Sequence, residues 1–150
     1  MDTVVKRFDE LSACDMYQIM KLRVDVFVVE QRCIYPEIDG KDPSSFHVYI
    51  SDGEDIVAYA RVLPPGVSFP EASIGRVIAK RRGEHLGEQV MGTAIDVART
   101  RFETPGIRIE AQTHARGFYE KLGFSQTSEE FLDEGIPHIE MYLAFDNDTC

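Results

Sequence analysis

The chain contains no tryptophan and only three cysteines, Cys14, Cys33 and Cys150, among 150 residues. The cysteines lie far apart and form no C-x-x-C pair, so neither a disulfide framework nor a structural zinc site is expected. This usage fits a reducing, cytoplasmic setting, and Cys14, at helical spacing, reads as a packing residue. Histidine is also sparse, with four residues and no H-E-x-x-H or comparable spacing, which argues against a metal centre. No apolar run approaches the roughly 20 residues that cross a bilayer. Met1 to Glu10 mixes charges without an apolar core and does not read as a secretory signal. Basic residues are scarce as well: 16 Lys and Arg stand against 26 Asp and Glu, for a net charge of −10. Such a sum repels nucleic acid and anionic membrane at long range, so neither is an expected partner.

What is present is the composition of a globular domain, 43% hydrophobic and 28% charged. With no internal repeat, low-complexity tract or Gly/Ser linker, residues 1–150 read as a single domain. Ser12 followed by Asp15 is an N-capping arrangement. Met16, Ile19, Met20, Arg23, Val26 and Phe27 then recur at helical spacing, predicting a helix that ends near Glu30. Residues 32–46 hold Pro36, Gly40, Pro43 and several acids, the mark of a long loop. Two strands, His47 to Ile50 and Ile56 to Leu63, flank a hairpin turn at Ser51-Asp52-Gly53-Glu54-Asp55. Ser73 to Ala79 is a third strand. Leu86, Val90, Met91, Ala94, Ile95, Val97, Ala98 and Phe102 form the apolar face of a helix that Thr104-Pro105-Gly106 stops. A strand from Ile107 to Gln112 follows, then a short helix from His114 to Leu122 with Gly123 as its C-cap. The chain closes with a strand from Phe124 to Thr127, a loop over 128–137, and a strand in which Ile139, Met141, Leu143 and Phe145 alternate with Glu140, Tyr142 and Ala144. This order predicts an α/β (α+β) domain, a mixed sheet with helices on its faces.

The scarce basic charge is concentrated. Segment 76–87 holds Arg76, Lys80, Arg81 and Arg82 against Glu84 alone, a local net of +3 that leaves −13 for the rest. It lies between a strand and the first turn of a helix, where backbone N–H groups are unpaired and partly positive. Gly83 and Gly87 would let a phosphate approach those groups, and arginines would add charge-assisted hydrogen bonds. The segment lacks both G-x-G-x-x-G and G-x-x-x-x-G-K-[ST], so neither a dinucleotide fold nor a P-loop is indicated. On its own it is either a pyrophosphate seat or a solvated basic turn.

Gln112-Thr113-His114-Ala115-Arg116-Gly117-Phe118-Tyr119-Glu120-Lys121-Leu122-Gly123-Phe124 resembles the N-x-x-A-x-x-F-Y-x-K-x-G-F element of the GNAT superfamily of acyl-CoA-dependent N-acetyltransferases. Arg82-Gly83-Glu84-His85-Leu86-Gly87 is similar to the superfamily's Q/R-x-x-G-x-G/A helix-opening loop. Val26-Phe27-Val28-Val29-Glu30-Gln31, Asp39-Gly40, Ile74-Gly75-Arg76-Val77-Ile78 and Gly135-Ile136-Pro137-His138-Ile139 resemble the ElaA-like group within it. The resemblance covers about residues 8–145. Three positions depart from the pattern. His85 stands where the middle glycine is usual, Gln112 replaces Asn, and the link from Ala79 to Arg82 is short, leaving open whether Arg81 or Arg82 takes the family's arginine position.

The resemblance implies a GNAT fold, in which the strand matching 74–79 splays from the strand matching 107–112. It implies acetyl-CoA as co-substrate, without a metal. The expected CoA-binding residues are Val77, Ile78, Ala79, Arg82, Gly83, Glu84, His85, Leu86, Gly87, Gln112 and Phe118. Val77 and Ala79 would pair with the pantetheine arm, and a backbone N–H near Ile78 would face the thioester carbonyl. Tyr119 matches the family's tyrosine and is the expected general acid toward the leaving thiolate. The acceptor, a small-molecule or peptide amine, is expected near Phe27, Glu30, Arg76, Glu110 and His138. Glu30, Glu110, His138 and Glu140 are candidate bases by chemistry. Glu37, Asp39, Asp42, Glu129, Glu130, Asp133 and Glu134 would join Glu30 in an acidic mouth suited to a cationic amine, or else simply solvate their loops. An acyl-CoA-binding regulatory module without turnover would need the same loop and no base, and stays open beside the enzyme. The oligomeric state is not determined, and a homodimer is among the states allowed.

Overall fold

A computed structural model describes residues 1–34, 36–81 and 83–145. The elements are β1 (Asp2–Arg7), α1 (Ala13–Val24), β2 (Phe46–Asp52), β3 (Asp55–Leu63), β4 (Ser73–Ala79), α2 (Leu86–Arg101), β5 (Gly106–Gln112), α3 (Arg116–Lys121), β6 (Ser125–Gln126), β7 (Phe131–Asp133) and β8 (Ile136–Ala144). α1 starts on a reciprocal cap: Ser12 Oγ accepts from the Asp15 N–H, and Asp15 Oδ2 accepts from the Ser12 N–H, both at 3.0 Å. The expected helix does reach Glu30, but past Val24 it widens into a π-helical segment, Asp25–Glu30. Cys14 is exposed on α1 and is not a packing residue. α3 is preceded by a 3-10 turn, Thr113–Ala115. It ends on Gly123 at φ +102°, whose N–H bonds the Glu120 carbonyl at 3.0 Å.

The strands form two antiparallel sheets, one in the order β1-β2-β3-β4 and the other β5-β8-β6, with β7 also paired to β8. β1 was not anticipated, because its one apolar pair, Val4-Val5, is too short to show a period. It is held by β2, with Val4 opposite Tyr49 and Val5 opposite Val48. β7 lies inside the expected 128–137 loop and owes its extension to pairing with β8.

Each sheet buries a face under α2. α2 lays Val90, Met91, Ala94 and Ala98 across both, against Val48, Val57 and Ala60 of the first and Ile109 and Met141 of the second. Such side chains contribute about 1.5–3 kcal/mol each when fully buried. On the opposite face of the first sheet, Ile19 and Leu22 of α1 pack on Tyr49, Tyr59 and Ile78.

The sheets meet at one place. Among the described residues, β4 and β5 join only where Ala72 stands parallel to Ile107, with the Arg108 N–H donating to the Ala72 carbonyl at 3.0 Å. The Ala72 N–H donates to Thr104 Oγ1 at 3.1 Å, and that hydroxyl donates to the Gly106 carbonyl at 2.7 Å. Gly106 has to be glycine, because a Cβ there would overlap the Leu143 carbonyl and the Tyr142 ring. Beyond this junction the strands diverge and leave a cleft.

Candidate functional site

The cleft encloses about 720 Å³. Ile74, Gly75, Arg76 and Val77 form one wall, and Glu110, Ala111 and Gln112 the other. Val26 and Phe27 of the π-helical segment, Asp133 and Glu134 of the β7 turn, and Tyr119 and His138 also line it, with Asp39, Lys41 and Arg61 toward the ion-paired loop. An open depression between β1 and α2, around Thr3, Glu88 and Gly92, gathers no converging chemistry.

β4 carries a bulge. Ile78 opposes Tyr59 and Gly75 opposes Arg61, so Arg76 and Val77 together face Ala60. Arg76 takes φ +53°. The Lys80 N–H donates to the Val57 carbonyl at 2.8 Å, and by antiparallel alternation Ile78 bonds β3 while the backbone of Ala79 faces outward. The cleft-side backbone of β4 is therefore that of the bulge and Ala79. The N–H of Ile78 itself is turned toward β3, away from the position the resemblance suggested. The Ile78 side chain is buried in the core under α1.

The start of α2 leaves its backbone exposed. No side chain caps it, which leaves the first-turn N–H groups open. His85 adopts φ +57°, the conformation a glycine would take, and Gly83 has φ +78°. The His85 imidazole is 75% exposed, 3.6 Å from Glu88, so the loop keeps its glycine-like path with the ring turned outward. A Cβ on Gly87 would come within 3.2 Å of the Phe118 ring and 3.8 Å of Ala79, so glycine lets α2, α3 and β4 meet. Leu86 is buried in the core and offers this loop only its backbone. Glu84 is exposed, 3.9 Å from Arg81. These features fit a phosphate-bearing ligand. Arg82 lies outside the described residues.

The local excess of +3 does not survive folding as one field. Lys80 pairs with Asp55 at 3.2 Å and Arg81 with Asp52 at 2.8 Å, both acids of the β2–β3 hairpin. Arg76 turns to the other end of the cleft, where Nε donates to Glu37 Oε2 at 2.7 Å and Nη2 approaches Asp39 at 3.4 Å. Glu37 and Asp42 are themselves buried on Arg23, whose Nε and Nη1 reach them at 2.7 and 2.6 Å. Arg61 bonds both oxygens of Asp39, at 2.9 and 2.8 Å. Three arginines thus consume three of the acids expected at the mouth, and residues 37–42 form an ion-paired plug. His47 completes it: the Asp42 carbonyl can only accept, so His47 Nε2 carries the proton and Nδ1 accepts from the Tyr59 hydroxyl at 2.7 Å.

The acids that remain at the cleft are Glu110, Asp133 and Glu134. Partial burial, and then the adjacent Asp133 carboxyl, push Glu110 above the usual carboxylate range. His138 lies diagonal to Glu110 on the paired strands. Its Nδ1 donates to the Ile136 carbonyl at 2.7 Å and its ring stacks on Phe131, leaving Nε2 as the basic nitrogen. Glu140 is instead engaged by Arg108 at 2.8 Å, and Glu30 is exposed and does not line the cleft. Gln112 donates to Gln31 at 3.2 Å and accepts from His114 at 2.7 Å, so its longer amide is tied to the loop after α1. Tyr119 is wedged edge-on between Phe118 and Phe124. Its hydroxyl bonds no described residue, and burial pushes it up to about 12.

Sequence reasoning missed Gln31, Arg23 and Arg61. Arg23 reads as one position of a helical period and Gln31 as the end of a resembling segment, neither with a role of its own, and Arg61 sits in a strand otherwise read as apolar. Among the described residues no group of three His, Cys, Asp or Glu could hold a metal ion, and no helix is long and apolar enough to cross a membrane.

A family model for the acetyltransferase (GNAT) domain matches residues 19–145. Protein ElaA of Escherichia coli is 37% identical over 136 residues, covering 88% of this chain and 89% of its own. The crystal structure of that protein superimposes with a TM-score of 0.87 over 95% of this chain and 98% of its own, at 33% identity. An acyl-CoA N-acyltransferase from Pseudomonas aeruginosa gives the same TM-score, 0.87, at 33% identity, over 96% of this chain and 100% of its own.

Proposed function

The chain belongs to the GNAT acetyltransferase family, and on that premise we propose that it moves an acetyl group from acetyl-CoA to a primary amine, by direct attack in a ternary complex. The observation that carries this reading is the cleft itself. A bulged strand edge and a tyrosine whose hydroxyl bonds no described residue line one opening between β4 and β5, and the uncapped start of α2 follows β4 in the chain.

Acetyl-CoA supplies an activated acyl thioester. The first turn of α2, with Gly83, Glu84, His85, Leu86 and Gly87, would take the pyrophosphate on backbone N–H groups. Arg82 joins this set by resemblance alone. Ala79 and the bulge at Val77 would pair with the pantetheine amides, and a bulge N–H would face the acyl carbonyl, a donor often worth about 3 kcal/mol toward the developing oxyanion. Phe118 closes the wall against Gly87, and Gln112 holds the opposite wall to the loop.

The amine must attack uncharged, so a proton has to leave it. Glu110, whose carboxyl is held closer to neutrality than usual, and His138, with Nε2 as its basic nitrogen, are the groups in the cleft equipped to take it. Asp133 and Glu134 add negative charge that favours a cationic acceptor, while Phe27 offers an apolar wall. Tyr119, still protonated at neutral pH, would give its proton to the departing sulfur.

The test mixes the protein with acetyl-CoA and a panel of primary amines, including a polyamine, an aminoglycoside and a lysine peptide, and follows free thiol. Amine-dependent release is the expected result. Calorimetric binding of acetyl-CoA with no release on any amine would replace the enzyme with a CoA-binding module.

A further inference from the structure

We infer that Arg76 is a positioning residue that holds the β4 bulge open toward the cleft, and that the buried pair Arg23–Glu37 anchors it. The inference rests on the acyl-transfer reading and adds the device that shapes the acyl-binding edge.

The left-handed region is disfavoured for a non-glycine residue, which persists there only where its surroundings demand it. Here Gly75 is the adjacent residue, yet Arg76 takes φ +53°. Its surroundings supply the reason. Nε of Arg76 donates to Glu37 Oε2 at 2.7 Å, and Nη2 approaches the Glu37 carbonyl at 3.4 Å. That same Oε2 accepts from Arg23 Nε at 2.7 Å. Arg23 is wholly buried and Glu37 nearly so. Moving Glu37 would strand a buried guanidinium, so Glu37 is a fixed post and Arg76 is drawn to it.

The strand follows. Ile74 and Val77 pack with the α2 core, while Ile78 packs with the α1 core. Strict alternation from Ile74 would send Arg76 into the α2 core, where no carboxylate waits. The bulge sends Arg76 to Glu37 and returns Val77 to the core, and in doing so releases one residue of β4 from pairing with β3. The unpaired backbone lies on the cleft wall.

Glycine separates positioning from contact, because it adopts this conformation freely with no guanidinium. Arg76→Ala and Arg76→Gly are compared with the parent protein in kcat and KM for thiol release. The amide resonances of Val77 and Ile78 are followed by NMR as acetyl-CoA or CoA is added. The expected result is a fall in kcat/KM for acetyl-CoA on the order of tenfold for Arg76→Ala, recovered to within about threefold in Arg76→Gly. The acetyl-specific amide shifts follow the same order. Equal behaviour of the two variants, whether both intact or both impaired, overturns the inference. Should the parent protein release no thiol with any amine, the transfer reading fails by itself. The amide shifts then decide alone: kept in Arg76→Gly and lost in Arg76→Ala they support positioning, and equal in both they overturn it.

Discussion

Arg108 grips Glu71 with two hydrogen bonds, Nε to Oε1 at 3.1 Å and Nη2 to Oε2 at 2.9 Å, across the point where β4 and β5 part. The guanidinium also lies 4.6 Å from the Tyr142 ring centroid and reaches Glu140 at 2.8 Å. The pair therefore fixes the apex of the cleft on both sheets. Glu71→Gln keeps the shape and removes the charge. It should lower stability by about 1 kcal/mol, the modest figure reflecting partial exposure. Urea denaturation measures this, and calorimetry should show weaker acetyl-CoA binding as the walls lose their registration.

Tyr119→Phe separates chemistry from structure. The hydroxyl bonds no described residue, so its loss should leave the midpoint of denaturation nearly unchanged. If the hydroxyl protonates the leaving sulfur, kcat should fall by about a hundredfold at constant KM. Because burial holds the phenol protonated up to about 12, no alkaline limb near neutrality should belong to it. A Phe variant with parental kcat would remove Tyr119 from the reaction.

Arg23→Ala should be among the most damaging single changes. It leaves the nearly buried Glu37 and Asp42 without the wholly buried guanidinium that joins them, a loss of about 3–5 kcal/mol. Equilibrium denaturation should register it directly, and a shift under about 1 kcal/mol would mean that the plug over 37–42 relaxes freely.

The plug also predicts an acid limb. Burial alone would raise Asp39, yet the hydrogen bonds and charge of Arg61 hold it at about 2, below its ordinary 3.8. A depressed folded value means that this contribution is complete above about pH 4 and is lost as the pH falls toward 2. Stability measured from pH 6 to 2 should therefore drop across that window. Asp39→Asn should be less stable at pH 6 and flatter below 4.

Glu110 gives a profile in the opposite sense. Burial and then Asp133 raise it, so its base form is lost at a higher pH than for an ordinary carboxylate. If Glu110 takes the amine proton, the acidic limb of kcat/KM should move to lower pH in Asp133→Asn. An unmoved limb would leave the proton to His138.

Much of the framework is legible before folding. The helix from Leu86 carries its period openly, because it buries one continuous apolar face, while the strand over Ser73–Ala79 is legible only as an extended apolar run and its bulge is not. Ser12-x-x-Asp15 marks the start of α1 because capping is local chemistry. β1 and β7 are not legible, since their extension comes from a partner strand and not from their own composition. The site divides in the same way. Gly83, Gly87 and Phe118-Tyr119 announce themselves as a motif whose spacing is set by a loop and a single helical turn. Ion pairing does not announce itself: Arg76 looks like part of a basic cluster until Glu37, distant in sequence, claims it.

By itself the sequence determined the order of the elements other than β1 and β7, the family resemblance and the place where a helix start meets two glycines, because these follow from short-range sterics, capping and periodicity. The tertiary structure alone decided where the charges go. It sent Lys80 and Arg81 to the β2–β3 hairpin, Arg76 to Glu37, and the loop acids to three arginines, leaving Glu110, Asp133 and Glu134 to face the cleft. The reason is physical. Charge acts through space and through burial, and a guanidinium finds its carboxylate only once the sheets have brought distant parts of the chain within a few ångströms.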